Sequence, residues 1–89
     1  MNTATRKAVE AAKAQIEKIK SEIEDLSGSL GDLREQEQEF FDDMPESSQV
    51  SGKGIQAEAN IDKLDDAAKT LEASGSALDD TINALDQIK

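Results

Sequence analysis

From Val9 to Met44, apolar side chains recur at alternating steps of three and four residues, and no other feature of the chain restricts its fold as tightly. With Ile16 at heptad position a, that position falls on Val9, Ile16, Ile23, Leu30, Glu37 and Met44. Position d then falls on Ala12, Ile19, Leu26, Leu33 and Phe40, so Glu37 is the sole polar member of the pattern. An alternation sustained for about five heptads predicts one long helix with a coiled-coil seam rather than a strand or a general amphipathic face. The pattern stops at Met44-Pro45, where proline disfavours helical geometry in the residue before it and lacks an N–H to donate. The first helix is therefore expected over about residues 3–43.

Residues 45–54 read Pro-Glu-Ser-Ser-Gln-Val-Ser-Gly-Lys-Gly, a composition that predicts a connection, with the loop over about 44–51 and Ser51 as N-cap of a second helix. The seam then resumes. Ala57, Leu64, Leu71, Leu78 and Leu85 occupy d, and Ile61, Ala68, Gly75 and Ile82 occupy a, which predicts that second helix over about 52–88. At a rise of ~1.5 Å per residue, each helix would extend on the order of 50–60 Å.

The charges beside the seam set the orientation. In the first helix, position e holds Arg6, Lys13, Lys20 and Arg34, interrupted by Ser27; in the second it holds Glu58, Asp65, Glu72, Asp79 and Asp86. Antiparallel helices set e against e′, so a basic edge would meet an acidic one, and a short connection permits that return. The expected fold is an all-α antiparallel two-helix coiled-coil hairpin forming one domain, residues 1–89. Pairing a with d′ puts Phe40 by Ile61, Ile23 by Leu78 and Leu26 by Gly75, with Lys20 near Asp79 and Arg34 near Asp65. Each exposed ion pair contributes only a few tenths of a kcal/mol, but the wrong registers would lose them all.

Such a hairpin leaves one side of each seam open to water. With no Trp or Tyr and only Phe40 and Phe41 as aromatics, a two-helix contact is a thin core. Self-association into a helical bundle is expected. The g edge, including Ser29, Ala67 and Ser74, is mostly small and nearly uncharged, and suits close docking of a second hairpin with Gly75 beside it. Ser27-Gly28-Ser29 and Ser74-Gly75-Ser76 fall at one level of the hairpin. Glycine inside a helix costs about 1 kcal/mol relative to alanine, so this level is either a waist of close backbones or a kink, or else a groove that admits a partner or small ligand. A break of the first helix at 27–31 stays open.

Composition narrows the chemistry. Without His or Cys there is no thiolate or imidazole metal ligand, no Glu-x-x-His motif and no disulfide, and the carboxylate doublets Asp42-Asp43, Asp65-Asp66 and Asp79-Asp80 diverge by about 100° on a helix. Gly52-Lys53-Gly54 lacks the spacing of a phosphate loop and reads as flexible connection. No catalytic site, metal or cofactor is expected, so the chain is expected to bind rather than to catalyse. Ser47, Ser48, Gln49, Ser51 and Lys53 concentrate polar groups in the connection and are the candidate binding residues. The net charge of −10 is uneven: residues 1–20 carry +3, residues 21–46 carry −9 and residues 47–89 carry −4. That balance disfavours direct nucleic-acid binding, which needs clustered Lys and Arg. The absence of an apolar run near the start, of any spanning segment and of cysteine predicts a cytoplasmic protein without signal peptide or membrane contact.

The stretch Glu37-Gln38-Glu39-Phe40-Phe41-Asp42-Asp43-Met44-Pro45-Glu46, continued by Gln49, Ser51 and Lys53-Gly54, resembles a motif of short, acidic helical proteins encoded by phages and other mobile elements. The resemblance covers about eighteen residues plus general helical character. It departs at Asp43, where the motif has Asn, and at Ser48, where it has Leu. It implies a phage protein acting stoichiometrically on host machinery such as antiviral defence, by blocking a host protein or sequestering a small signalling ligand. A structural or assembly adaptor, or an acidic mimic of nucleic acid, are the alternatives.

Overall fold

The computed structural model describes residues 1–89. Three helices succeed one another: α1 over Thr3–Asp42, α2 over Glu46–Gln49 and α3 over Gly52–Asp86. There is no strand, and α1 packs along α3 as a helical hairpin measuring 69 × 14 × 13 Å. No helix is long and apolar enough to cross a membrane. α1 is unbroken through residues 27–31, glycines included.

α1 begins at Asn2, whose extended backbone and side-chain oxygen, accepting from the Thr5 N–H at 2.8 Å, satisfy one of the free donors of the first turn. Serines and threonines inside the helices bond back to the preceding turn: Ser29, Thr70, Ser74 and Thr81 each donate a hydroxyl to the carbonyl four residues earlier. That local bond satisfies these four hydroxyls within the helix itself.

The turn between the long helices is an ordered joint. Pro45 accepts from the N–H groups of both Ser48 and Gln49, making the single turn α2 where loop was expected. Gln49 reaches back to donate to the Phe41 carbonyl at 3.1 Å, and tethers the end of α1. Ser51 occupies the N-cap position of α3 but makes no side-chain cap bond; its hydroxyl donates instead to the Ser48 carbonyl at 2.7 Å. Gly52-Lys53-Gly54, expected as flexible connection, forms the first turn of α3. Gly54 is buried there, and a side chain on it would overlap the backbone of Gln49. Only a glycine lets α2 and α3 come this close.

The contact face of α1 is rotated from the expected seam. The half-buried residues of α1 are Val9, Lys13, Ile16, Lys20, Ile23, Ser27, Leu30, Arg34, Glu37, Gln38 and Phe41, all at positions a or e except Gln38. Position d faces outward instead: Ile19, Leu26, Leu33 and Phe40 are 41%, 55%, 47% and 49% exposed. α3 keeps its a and d rows against α1, with Ala57 and Ile61 the buried apolar residues of the whole chain. The rotation has two physical causes. Ion pairs across the e edges hold that side closed, and in the a row of α3 the small Gly75 leaves room for the Ile23 side chain of α1. Consequently Ile23, rather than Leu26, lies against Gly75, and Phe41 rather than Phe40 shares a concavity with Ile61.

Candidate functional site

The e edges form a ladder whose members share one register. Lys13 meets Asp86 at 2.5 Å, Lys20 meets Asp79 at 2.6 Å and Arg34 meets Asp65 at 3.2 Å. Hydrogen bonding to Asp86 and Asp79 respectively raises the Lys13 and Lys20 ammonium groups above the ordinary lysine value. The same register places Ser27 opposite Glu72, so the ladder lacks a cation at its middle rung. The Ser27 hydroxyl is shielded from water and has no hydrogen-bond partner.

At that missing rung the hairpin opens into a groove of about 440 Å³. Its walls are Lys20, Ile23, Glu24, Ser27, Gly28, Glu72, Gly75, Ser76 and Asp79. The two Ser-Gly-Ser triplets thus meet at one level, and what they make is space. A Cβ on Gly28 would touch nothing within 4 Å, and one on Gly75 would reach Ile23 Cγ2 at an ordinary 3.6 Å. The groove holds one cation, already paired with Asp79, against three carboxylates, so alone it favours polar or cationic groups over anions. No group of three metal-ligating side chains occurs.

The connection residues divide between the joint and the solvent. Gln49 and Ser51 are committed to backbone carbonyls of the joint, and Ser48 supplies one of those carbonyls. Ser47 and Lys53 are exposed, and the Lys53 ammonium stands 5.8 Å from the centre of the outward Phe40 ring, a cation–π geometry. This cluster therefore has a structural role that composition alone could not reveal, with Ser47, Lys53 and Phe40 as its outward groups.

Among the residues expected at a self-association surface, Ser29, Ala67 and Ser74 are exposed, whereas Gly75 is buried against Ile23 inside the hairpin. Because the ion pairs fill the e side, positions d and g share the opposite side. There the outward d row of α1 runs beside the half-buried Leu64, Leu71, Leu78 and Leu85 of α3. An open apolar side was expected from the sequence, but not that the d row of α1 would form it, because a heptad pattern cannot say which flank of a helix a partner will cover. No protein-family model, no curated protein and no solved structure matches the chain.

Proposed function

We propose that this chain is a non-enzymatic interaction protein that self-associates and acts stoichiometrically, its helical faces being the functional surface. One observation carries the reading: a rod 14 Å across turns Ile19, Leu26, Leu33 and Phe40 outward along one side while burying only Ala57 and Ile61 among its apolar residues. Aligned apolar side chains left in water favour association, since their burial contributes about 25 cal/mol per Å². The resemblance at Glu37–Gly54 adds the setting of a phage protein directed at host machinery such as antiviral defence. In that setting it blocks a host protein or sequesters a small signalling ligand. The groove at Ser27 and Gly28 supports the ligand mode, because it is the largest concavity of the rod and its glycines leave it unfilled. An assembly adaptor is the second reading, supported by the length of the rod.

The test is expression of the tagged chain in a bacterium that carries an antiviral defence, with phage challenge and then affinity capture. Restored phage growth is the expected result, with either a co-purifying host protein or a small molecule released on denaturation. Unrestored growth across several defence types, with the protein recovered free of both, would remove the inhibitor reading and leave the adaptor.

A further inference from the structure

The outward d row of α1 consists of Ala12, Ile19, Leu26, Leu33 and Phe40, one residue per heptad. A row spaced in this way has Leu26 at its midpoint, with Ile19 and Leu33 equidistant from it and Ala12 and Phe40 at its ends. Turned end for end, it lays Leu26 on Leu26, Ile19 on Leu33 and the small Ala12 on the large Phe40. Every layer then holds either two aliphatic chains or a ring against a methyl group. Set parallel, the same row would stack Phe40 on Phe40 and leave Ala12 facing Ala12 across a gap.

Charge selects the same arrangement independently. The half of the hairpin nearest the connection, residues 27–72, carries twelve acids and four bases, or −8. The other half, residues 1–26 and 73–89, carries eight acids and six bases, or −2. An end-for-end pair sets each −8 half beside a −2 half. A parallel pair sets −8 against −8, and like charges within a Debye length of ~8–10 Å repel. The flank beside the row also permits approach, since Glu22 is the one charged g-edge residue along its length and the exposed Ser29, Ala67 and Ser74 carry no charge to desolvate.

We infer that the d row of α1 is the dimer interface of this protein, occupied by the same row of a second copy, antiparallel, with Leu26 on the two-fold axis. The inference rests on the self-association proposed above and specifies its surface and symmetry. One surface patch facing its own copy is the isologous contact of two-fold dimers, the commonest oligomer. The row from Ala12 to Phe40 is about 42 Å long. Along a rod 14 Å across, it buries on the order of 1,200 Å² in total, the lower bound of specific interfaces. The resulting four-helix bundle covers the leucine row of α3 as well as that of α1.

The chain contains no cysteine, so single cysteines report the geometry cleanly. Leu26→Cys, Ile19→Cys and Leu33→Cys are treated with a short bis-maleimide at tens of micromolar protein, alongside sedimentation equilibrium of the unmodified chain. The expected result is an even-numbered assembly in which Leu26→Cys links to itself almost completely. Ile19→Cys and Leu33→Cys alone should each stay mostly unlinked, while their equimolar mixture links to each other. Self-linking of Ile19→Cys and Leu33→Cys as complete as that of Leu26→Cys would show a parallel pair and overturn the inference. An assembly in which Leu26→Cys does not link would place the interface elsewhere, overturning the inference while self-association stands. A fully helical monomer at the same concentration would overturn both.

Discussion

Ile23 lies over Gly75 with just enough room for one more carbon: a Cβ on the glycine would rest 3.6 Å from Ile23 Cγ2, in ordinary contact. The glycine is therefore not required by the packing of the two helices. Gly75→Ala should raise stability by about 0.5–1 kcal/mol, since alanine outranks glycine in a helix interior by that amount. Urea denaturation monitored by helical circular dichroism is the check. A loss of stability would mean that α1 and α3 approach more closely at this level than the 3.6 Å spacing allows.

Gly54 is the opposite case. Its missing side chain is the space that the Gln49 backbone occupies, so Gly54→Ala must push α2 away from α3. Destabilisation of about 2–3 kcal/mol is expected, together with loss of the Gln49 bond to the Phe41 carbonyl. Equal midpoints for Gly54→Ala and Gly75→Ala in urea would contradict this contrast.

Ser27→Lys supplies the cation missing opposite Glu72. The new pair should contribute roughly 0.5 kcal/mol, or a Tm increase of about 2–4 °C at low salt, and the gain should shrink in about 1 M salt where screening is strong. The lysine chain also fills the groove. A variant that is more stable yet no longer retains the captured small molecule would show that the gap in the ladder serves binding. A more stable variant with unchanged capture would move binding away from the groove.

Lys13 and Lys20 carry raised ammonium values through their bonds to Asp86 and Asp79. A folded value above the unfolded one means that their contribution is fully present below the unfolded lysine value of about 10.4 and is lost as pH climbs through the folded one. The midpoint in urea should thus hold steady near neutrality and fall as pH rises past the unfolded lysine value of about 10.4. In the double variant Lys13→Met, Lys20→Met that alkaline fall should be smaller, because the pairs that produce it are gone.

The hairpin and the pairing of Lys20 with Asp79 and Arg34 with Asp65 could be read from spacing and charge sign, since both repeat over many residues. The inward turn of Lys13, Lys20 and Arg34 could not. Positions d and e flank a on opposite sides, and only the joint effect of ion pairs and the small Gly75 on α3 decides which flank closes. Asn2 as a cap escaped notice because it precedes the periodic segment. The role of Gly54 depends on a contact with Gln49 made by the folded path of the chain, and glycine among serines reads as looseness until that path is known.

Three of the four buried residues, Gly54, Ala57 and Ile61, lie within one short stretch beside the connection. Shielding from solvent is therefore concentrated at one end of a rod in which each level touches only the next. Closure starts most readily there, where the least chain must be gathered, and proceeds toward the termini like a zip. Unfastening runs the other way. Amide exchange should be slowest from Gly54 to Ile61 and quicken steadily toward Thr3 and Asp86, so that at any instant a fraction of molecules offers two loose helical ends held by a fastened joint.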